Sequence, residues 1–432
     1  MYDKALAVAI LAACLVLIAT ERIQRALVAM MGAMAVLALG ILSPEDVLDP
    51  RGPVHWEALG LIFGMFVMIH VLREVGFFKW IGLRTLMMAR FRVLRLFVLF
   101  SALSAFLAAF MDSITVLMFM VSLTMEITRI LRVSPLPFIL GEITSANIGG
   151  SATMVGDPPN IVIGTALHYS FSDFVLNTGP LAVAAFIVNL FVLYLCFKST
   201  FARCKVDSVE FMKAFRYLRP PPKTAIRDAR TMHITLGIFI FSMALLVLHN
   251  FLKISVAFIG ILGAVLTMLS SGGKFPDMLE RLDYRTIIFF GGLFIIVGGL
   301  ERTGVTADLA GAIGFLSGGS TALAVTIILW TAAVFSALID NVPLAAAMVP
   351  IIRSLSGSTG IGLGALAWAS CLGCDIGGSA SPIGASANIV GLSQMERCGV
   401  RVTWREYCGA AVPATVLALI TCNILLVIRY AL

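Results

Sequence analysis

The stretch IGGSATMVGDPPNIV at residues 148–162 occurs a second time, as IGGSASPIGASANIV at residues 376–390. Nine of the fifteen aligned positions are identical. The same offset of 228 positions, without a gap, places Asp112 on Asp340 and Gly64 on Gly292. A match over this distance predicts an internal duplication, in which each half of the chain repeats the architecture of the other.

The composition indicates that lipid surrounds this duplicated chain. Of the 432 residues, 59% are hydrophobic and 13% are charged, and the mean hydropathy is +1.00. Soluble domains carry about 25% charged residues. Runs approaching 20 apolar residues recur without alternation, which favours membrane-spanning helices over barrel strands. The apolar run at residues 6–20 has no small-residue cleavage site after it, so we expect a retained span and not a signal peptide.

The apolar runs define an all-α polytopic membrane protein, with repeats at 1–200 and 231–432 and a basic linker at 201–230. We predict spans near 5–20, 24–42, 55–72 and 174–197, an amphipathic interfacial helix at 73–92 and a span broken by glycine and proline at 136–168. The segment 94–130 has Asp112 at its middle and is either two full spans or a re-entrant hairpin; its length fits both. The same offset gives the second set, at 233–248, 252–270, 283–300, 301–318, 320–356, 361–393 and 406–428.

Basic residues predict that the two repeats are inverted. The hairpin interpretation gives about ten transmembrane helices, an odd number of crossings in each copy, so the second copy is upside down. With the linker in the cytoplasm, 25 of the 31 Lys and Arg residues fall on the inner side and six on the outer side, as the positive-inside rule requires. Both termini are then outside a plasma (inner) membrane. Counting each hairpin as two spans keeps the parity, so this count favours inversion but leaves re-entrance open.

Polar residues at the hairpin tips and helix breaks are the candidate ion- or substrate-binding residues. A charge at the bilayer centre costs about 2.5–3.5 kcal/mol, so such residues mark ion pathways and cavities. Unwound backbone at a break frees carbonyl groups for cations, and half-helix N-termini present N–H groups to anions. The candidates are Asp112, Ser113, Thr115, Asn147, Gly149, Gly150, Ser151, Thr153, Asp157 and Asn160 in the first copy, and Asp340, Asn341, Asp375, Gly377, Gly378, Ser379, Ser381 and Asn388 in the second.

Several of these residues also have structural interpretations. The glycine pairs alternatively allow close helix packing, Asp157 alternatively caps a half-helix, and Asn160 and Asn388 alternatively satisfy carbonyls of the broken helices. Glu142 is a further candidate proton site. The pair Cys371 and Cys374 is a weak signal for a soft metal, and we predict neither a metal site nor a catalytic residue.

These motifs resemble the large ion transporter superfamily that includes arsenical pump membrane proteins, NhaD-type sodium/proton antiporters, citrate and dicarboxylate carriers and the pigmentation P-protein. The stretch Gly156-Asp157-Pro158-Pro159-Asn160-Ile161 looks like the signature of the P-protein-like permeases, although Ser379 and Ser381 depart from its second copy. The resemblance implies inverted repeats, two opposed re-entrant hairpins and an elevator mechanism, in which a transport domain moves against a scaffold. It also implies a homodimer and, by analogy with arsenical pumps, association with a separate ATPase subunit.

We therefore predict a secondary active ion transporter, coupled to H⁺ or Na⁺ and using no other cofactor. Its partners are the lipid bilayer and a small inorganic ion or anion, with no role for nucleic acid. Arsenite or antimonite efflux is the first candidate, followed by Na⁺/H⁺ antiport and then by citrate or dicarboxylate transport. No Walker motif is present, so the chain carries no ATPase of its own. The alternatives from other classes are a passive channel and an intramembrane aspartyl enzyme using Asp340 and Asp375.

Overall fold

A computed structural model describes residues 2–20, 22–49, 52–89, 92–203, 226–270 and 283–431, and these residues form helices and connecting turns without a strand. The first copy contains α1 (Tyr2–Ala19), α2 (Arg25–Ala38), α3 (Pro44–Leu48), α4 (Trp56–Glu74), α5 (Phe77–Met88), α6 (Val93–Ala108), α7 (Ser113–Leu131), α8 (Leu136–Gly150), α9 (Pro158–Ala166), α10 (Phe171–Cys196) and α11 (Lys198–Arg203). The second contains α12 (Ala229–Leu252), α13 (Val256–Ser270), α14 (Tyr284–Thr303), α15 (Val305–Ser317), α16 (Thr321–Ser336), α17 (Asn341–Thr359), α18 (Leu363–Gly377), a 3₁₀ turn (Gly378–Ala380), α19 (Ser386–Arg397) and α20 (Trp404–Tyr430).

The helix boundaries repeat with the offset found in the sequence. Helices α6 and α7 recur as α16 and α17 with both ends displaced by 228 positions, and α4 recurs as α14 with the same displacement of its start. The duplication is therefore a structural one. The predicted linker at 201–230 falls largely outside the described residues, as does most of the basic segment before α14.

The turns between these helices follow from local sequence. The Asp112 carboxylate accepts hydrogen bonds from the backbone N–H groups of Ile114 and Thr115 and so caps α7, and Asp340 occupies the same position before α17. Helix α8 ends at Gly150, and Pro158 begins α9, where its missing N–H costs nothing. The break predicted within 136–168 and its counterpart within 361–393 are confirmed.

Two groups of helices pack around the molecule's centre. In the first, called the crossed-helix group, α4 packs on α13 and α14 packs on α2. The α4–α13 crossing is close because Gly64 faces Gly260, and a Cβ atom on Gly64 would lie 2.0 Å from the Gly260 carbonyl oxygen. In the second, called the hairpin group, α6 packs on α8, α16 on α18, and α10 on α20. These reciprocal contacts are those of two copies related by an approximate two-fold axis.

Equivalent helices of the two copies run in opposite directions. Helix α4 starts beside a cavity lined by His55 and ends beside a second one lined by Arg73. Helix α14 starts at the second cavity, with Arg285, and ends at the first, with Arg302. This antiparallel relation is the one that inverted repeats require, because the copies then enter a membrane from opposite sides.

Helices in both copies are suited to cross a bilayer. Among the described residues, six are long and apolar enough to do so: α4, α7, α10, α12, α14 and α20. Shorter apolar helices include α2, α6, α13, α15 and α16. The fold is therefore that of a multi-pass α-helical membrane protein.

Candidate functional site

A cavity of about 470 Å³ lies between the two hairpin tips, and we call it the tip cavity. Its volume lies within the range of small-molecule sites. The tips contribute Asp112, Ser113, Ile114, Thr115, Asp340 and Asn341; the helix breaks contribute Asp157, Pro158, Ala385 and Ser386; the crossed-helix group contributes Arg25, His70, Arg73 and Arg285. Residues that are far apart in the sequence of each copy thus line one space.

Asp340 is held at the cavity by a cation that sequence reasoning missed as a site residue. Its Oδ2 lies 2.5 Å from Arg25 Nη1 and accepts a hydrogen bond of 2.5 Å from the Ser386 hydroxyl. Arg25 also donates to Ser386. A signal was available, because Lys253 occupies the position equivalent to Arg25 and makes both copies basic there.

Asp157 joins the two hairpin tips. Its Oδ1 accepts a hydrogen bond of 3.0 Å from Ser113, and its Oδ2 accepts one of 2.8 Å from the amide of Asn341. Ser113 and Asn341 are equivalent positions of the two copies. Asp157 stands at the N-cap of α9, but its side chain makes no capping hydrogen bond. It therefore links the tips and does not cap the half-helix.

Asn160 and Asn388 hold the broken backbone in the same way. The Asn160 amide donates to the carbonyls of Gly150 and Thr153, at 2.9 and 3.2 Å. The Asn388 amide donates to those of Gly378 and Ser381, at 2.7 and 2.8 Å. These amides satisfy carbonyls that the helix breaks expose.

Two hydroxyl groups attach the breaks to the hairpin arms. Thr153 donates to the carbonyl of Ala109, and Ser381 donates to that of Ala337, the equivalent residue. Ser151 donates within its own helix turn, to Ile148. The hairpins and the breaks therefore form one hydrogen-bonded unit.

Asn147 crosses from the first copy to the second. Its Nδ2 donates to the Ser379 hydroxyl and to Asn388 Oδ1, both at 3.0 Å. Asp375, its equivalent, is fully buried beside Asp157, Asn160 and Asn341. Neither residue lines the tip cavity as the structure describes it, so both lie behind the surface that a solute would touch.

The glycine pairs serve close packing. A Cβ atom on Gly149 would lie 2.1 Å from the Ala105 carbonyl oxygen, and one on Gly377 would lie 2.4 Å from Ala333 Cα. Gly150 and Gly378 face Asp157 and the Gly384 carbonyl across the breaks. Helices α8 and α18 can thus touch the hairpin arms α6 and α16.

Three further candidates lie outside the cavity. Cys371 and Cys374 are completely buried on α18, and Glu142 is buried on α8, where it accepts a hydrogen bond from Thr124. Within the described part of the chain, no three His, Cys, Asp or Glu side chains are grouped to hold a metal ion.

A multi-pass helical fold with polar breaks and tips gathered on one central cavity defines a membrane transporter. The profile of the citrate transporter family matches residues 15–373, and the chain belongs to that family. It is a transporter and not an enzyme.

Comparisons with individual proteins agree. An uncharacterized transporter of Mycobacterium tuberculosis is 32% identical over 98% of both chains. The P protein of Homo sapiens is 26% identical over 96% of this chain and 58% of its own length. The solved structure of the YdaH transporter of Alcanivorax borkumensis, described as having an unusual topology, aligns with a TM-score of 0.57 at 13% identity, over 94% of this chain and 96% of that one. The predicted superfamily is confirmed.

Proposed function

We propose that this protein is a cation-coupled secondary transporter that moves a small carboxylate anion of the citrate class through the tip cavity. One observation carries the proposal: two repeat-related hairpin tips meet at one cavity that holds both carboxylate and guanidinium groups. The family assignment supports the class of substrate.

The charges in the cavity suit two different solutes. Asp112, Asp157 and Asp340 lie where helices α7, α9 and α17 begin, and their negative charge attracts a coupling cation or proton. Arg25, Arg73 and Arg285 line the same cavity and attract an anion. A site that holds an anion and a cation together couples their movement, because each lowers the electrostatic cost of the other.

The geometry also suggests how access alternates. The tip cavity is on the side of Arg25, Arg73 and Arg285, which the charge count assigns to the cytoplasm. The cavity lined by His55, Arg302 and Arg353 has a volume of about 930 Å³ and lies at the opposite ends of α4 and α14. We propose that the hairpins are re-entrant and that the hairpin group moves along the crossed-helix group, carrying the tips from one side to the other.

Arsenite efflux and Na⁺/H⁺ antiport remain predictions. Soft thiolates are the ligands that suit As(III), but Cys371 and Cys374 are buried away from the cavity lining. The carboxylates of Asp112, Asp157 and Asp340 equally suit an ion exchanger. Arsenite and sodium are therefore both included in the transport assay.

Transport by purified protein in liposomes tests the proposal. We expect citrate or a smaller carboxylate to accumulate against its gradient when a pH or sodium gradient is imposed, and we expect counterflow, which a passive channel does not give. Protein-free liposomes serve as the control. Accumulation of arsenite alone, exchange of sodium for protons without any carboxylate, or flux without counterflow would each refute the carboxylate proposal.

The predicted assembly is a separate part of the proposal. We propose a homodimer, and detergent-solubilised protein should show twice the mass of one chain by light scattering. The proposed assembly also includes a separate ATPase subunit. Gradient-driven transport by the purified protein alone would show that such a partner is dispensable.

A further inference from the structure

The two copies differ in one buried pairing of side chains at their helix breaks. In the second copy, Asn388 commits its N–H groups to the carbonyls of Gly378 and Ser381, and its Oδ1 accepts a hydrogen bond of 3.0 Å from Asn147. Every part of the Asn388 amide is therefore satisfied, and Asn147 of the other copy supplies the last donor.

At the equivalent break in the first copy, an acid stands where Asn147 would supply the N–H donor. Asn160 commits its N–H groups to Gly150 and Thr153 in the same way, but the residue equivalent to Asn147 is Asp375. Asn160 Oδ1 and both Asp375 carboxylate oxygens are fully buried, and no hydrogen bond of acceptable geometry reaches them from the described residues. The side-chain amides of Asn160 and Asn341 lie beside the Asp375 carboxyl and act on its charge, but neither is aligned to donate a hydrogen bond to it.

If Asp375 were ionised, its two buried carboxylate oxygens would have no hydrogen-bond donor and would lie beside the Asn160 amide oxygen. Buried polar groups without a partner are costly, and a buried charge without one costs more. A protonated carboxyl is a donor. Its O–H can give Asn160 Oδ1 the bond that the Asn147 N–H gives Asn388.

We propose that Asp375 carries the coupling proton of this transporter, with its O–H donating to Asn160 Oδ1 in the state described here. The coupling role rests on the proposed function; the protonated carboxyl does not. Unlike a metal cation, a proton does not require several ligands around it. The O–H of Asp375 takes the place of the N–H that Asn147 supplies at the equivalent position of the repeat.

The titratable groups beside Asp375 give a path for this proton. The titratable groups near Asp375 are Asp157, at the start of α9, and Cys371 and Cys374 on its own helix, while α17 contributes the neutral amide of Asn341. Asp157 lines the tip cavity. The proton passes from the Asp375 carboxyl to the Asp157 carboxylate and then to water in the cavity, which leaves Asp375 as a carboxylate that takes up a proton in the next cycle.

Infrared difference spectroscopy of the purified wild-type protein and Asp375→Asn tests protonation without any transport substrate. At neutral pH we expect the wild type to show a carbonyl stretch of a protonated carboxyl that Asp375→Asn lacks. Asp308→Asn, which changes an exposed carboxylate, should keep the band. An unchanged band in Asp375→Asn would show that Asp375 is ionised and would overturn the proposal. Stabilisation of the wild type by sodium chloride over choline chloride, lost in Asp375→Asn, would also overturn it in favour of a sodium site.

Asp375→Asn should fold, because it reproduces at Asn160 the amide pairing that Asn147 makes with Asn388. If the mutant does not fold, the wild-type spectrum still tests the proposal, because absence of any protonated carboxyl at neutral pH would reject it. In liposomes we expect Asp375→Asn to retain counterflow and lose accumulation driven by a pH gradient. Proton-driven accumulation by the mutant would refute the coupling role. Failure of the wild type to transport any carboxylate would instead reject the proposed function and leave the infrared result intact.

Discussion

Arg25 Nη1 lies 2.5 Å from Asp340 Oδ2 and ties helix α2 of the crossed-helix group to the second hairpin tip. Only 7% of the Asp340 side chain is exposed, compared with 30% of the Arg25 side chain. The ion pair therefore spans the boundary between the two helix groups and closes one wall of the tip cavity. Relative motion of the groups has to break it, so we expect both residues to affect the transport cycle.

Asp340→Asn should abolish transport and leave the fold intact. The amide keeps the shape of the carboxylate but removes the negative charge that pairs with Arg25, and one charge of the cavity is lost. Uptake into liposomes measures activity, and the elution profile in detergent measures folding. The matched control is Asp308→Asn, which breaks the exposed ion pair with Lys4 and should cost about 0–1 kcal/mol. Full transport by Asp340→Asn would remove this carboxylate from the mechanism.

Mutations of Arg25 and Lys253, which occupy equivalent positions, should have opposite effects on the side of the membrane to which the tip cavity opens. Arg25 pairs with Asp340 in the state described here. Because Lys253 and Asp112 are the equivalent residues, we expect them to pair in the opposite state. Arg25→Ala should slow labelling of a cysteine at Met118, a residue lining the tip cavity, and Lys253→Ala should accelerate it. The measurement is the rate of reaction with a membrane-impermeant maleimide.

The background for this assay is the same variant without Met118→Cys, because Cys196 and Cys398 are exposed. A change of the labelling rate in the same direction in both alanine variants would contradict the symmetric exchange of ion pairs.

The sequence predicted the helices, and the meeting of hairpin tips and helix breaks, better than it predicted individual side-chain contacts. The gapless offset placed a segment at 320–356 with Asp340 at its centre, where α16 and α17 meet, because a duplicated chain repeats its turns and caps. It did not predict that Asn341 would contact Asp157 or that Asn147 would contact Asn388, since alignment pairs equivalent residues whereas the two-fold axis brings non-equivalent ones together. From the sequence, Arg25 is only one of the basic residues that indicate orientation, because a basic residue at a helix start is usually solvated.

Asn160→Ala and Asn388→Ala should each destabilise the protein. Each mutation leaves buried carbonyls of a helix break without a donor, at about 1–3 kcal/mol for an unsatisfied group, and the thermal unfolding midpoint in detergent should fall. Asn423→Ala removes a single bond with half-buried Thr326 and should cost about 0.5–1.5 kcal/mol. Equal midpoints for the three variants would show that the breaks do not depend on these amides.

Gly149→Ala and Gly377→Ala should prevent correct folding. In both, the added methyl group meets backbone of a hairpin arm at 2.1 or 2.4 Å, and backbone cannot turn aside as a side chain can, so the cost should exceed about 4 kcal/mol. Gly237→Ala on α12 is the control, because its Cβ meets nothing within 4 Å and alanine favours a helix by about 1 kcal/mol. The yield of monodisperse protein is the measurement. Normal yields of both mutants would mean that α8 and α18 lie farther from α6 and α16.

Replacing Cys371 and Cys374 together by serine tests whether thiols take part in transport. Both side chains are fully buried and absent from the tip-cavity lining, and serine is slightly smaller than cysteine. We expect carboxylate accumulation in liposomes to be retained, with a modest loss of thermal stability from two buried hydroxyl groups. Cys196→Ser and Cys398→Ser, at exposed positions, control for the loss of thiols elsewhere. If the wild type moves arsenite and the buried pair is required for it, thiol coordination within α18 would be part of the path, and α18 would have to open during the cycle.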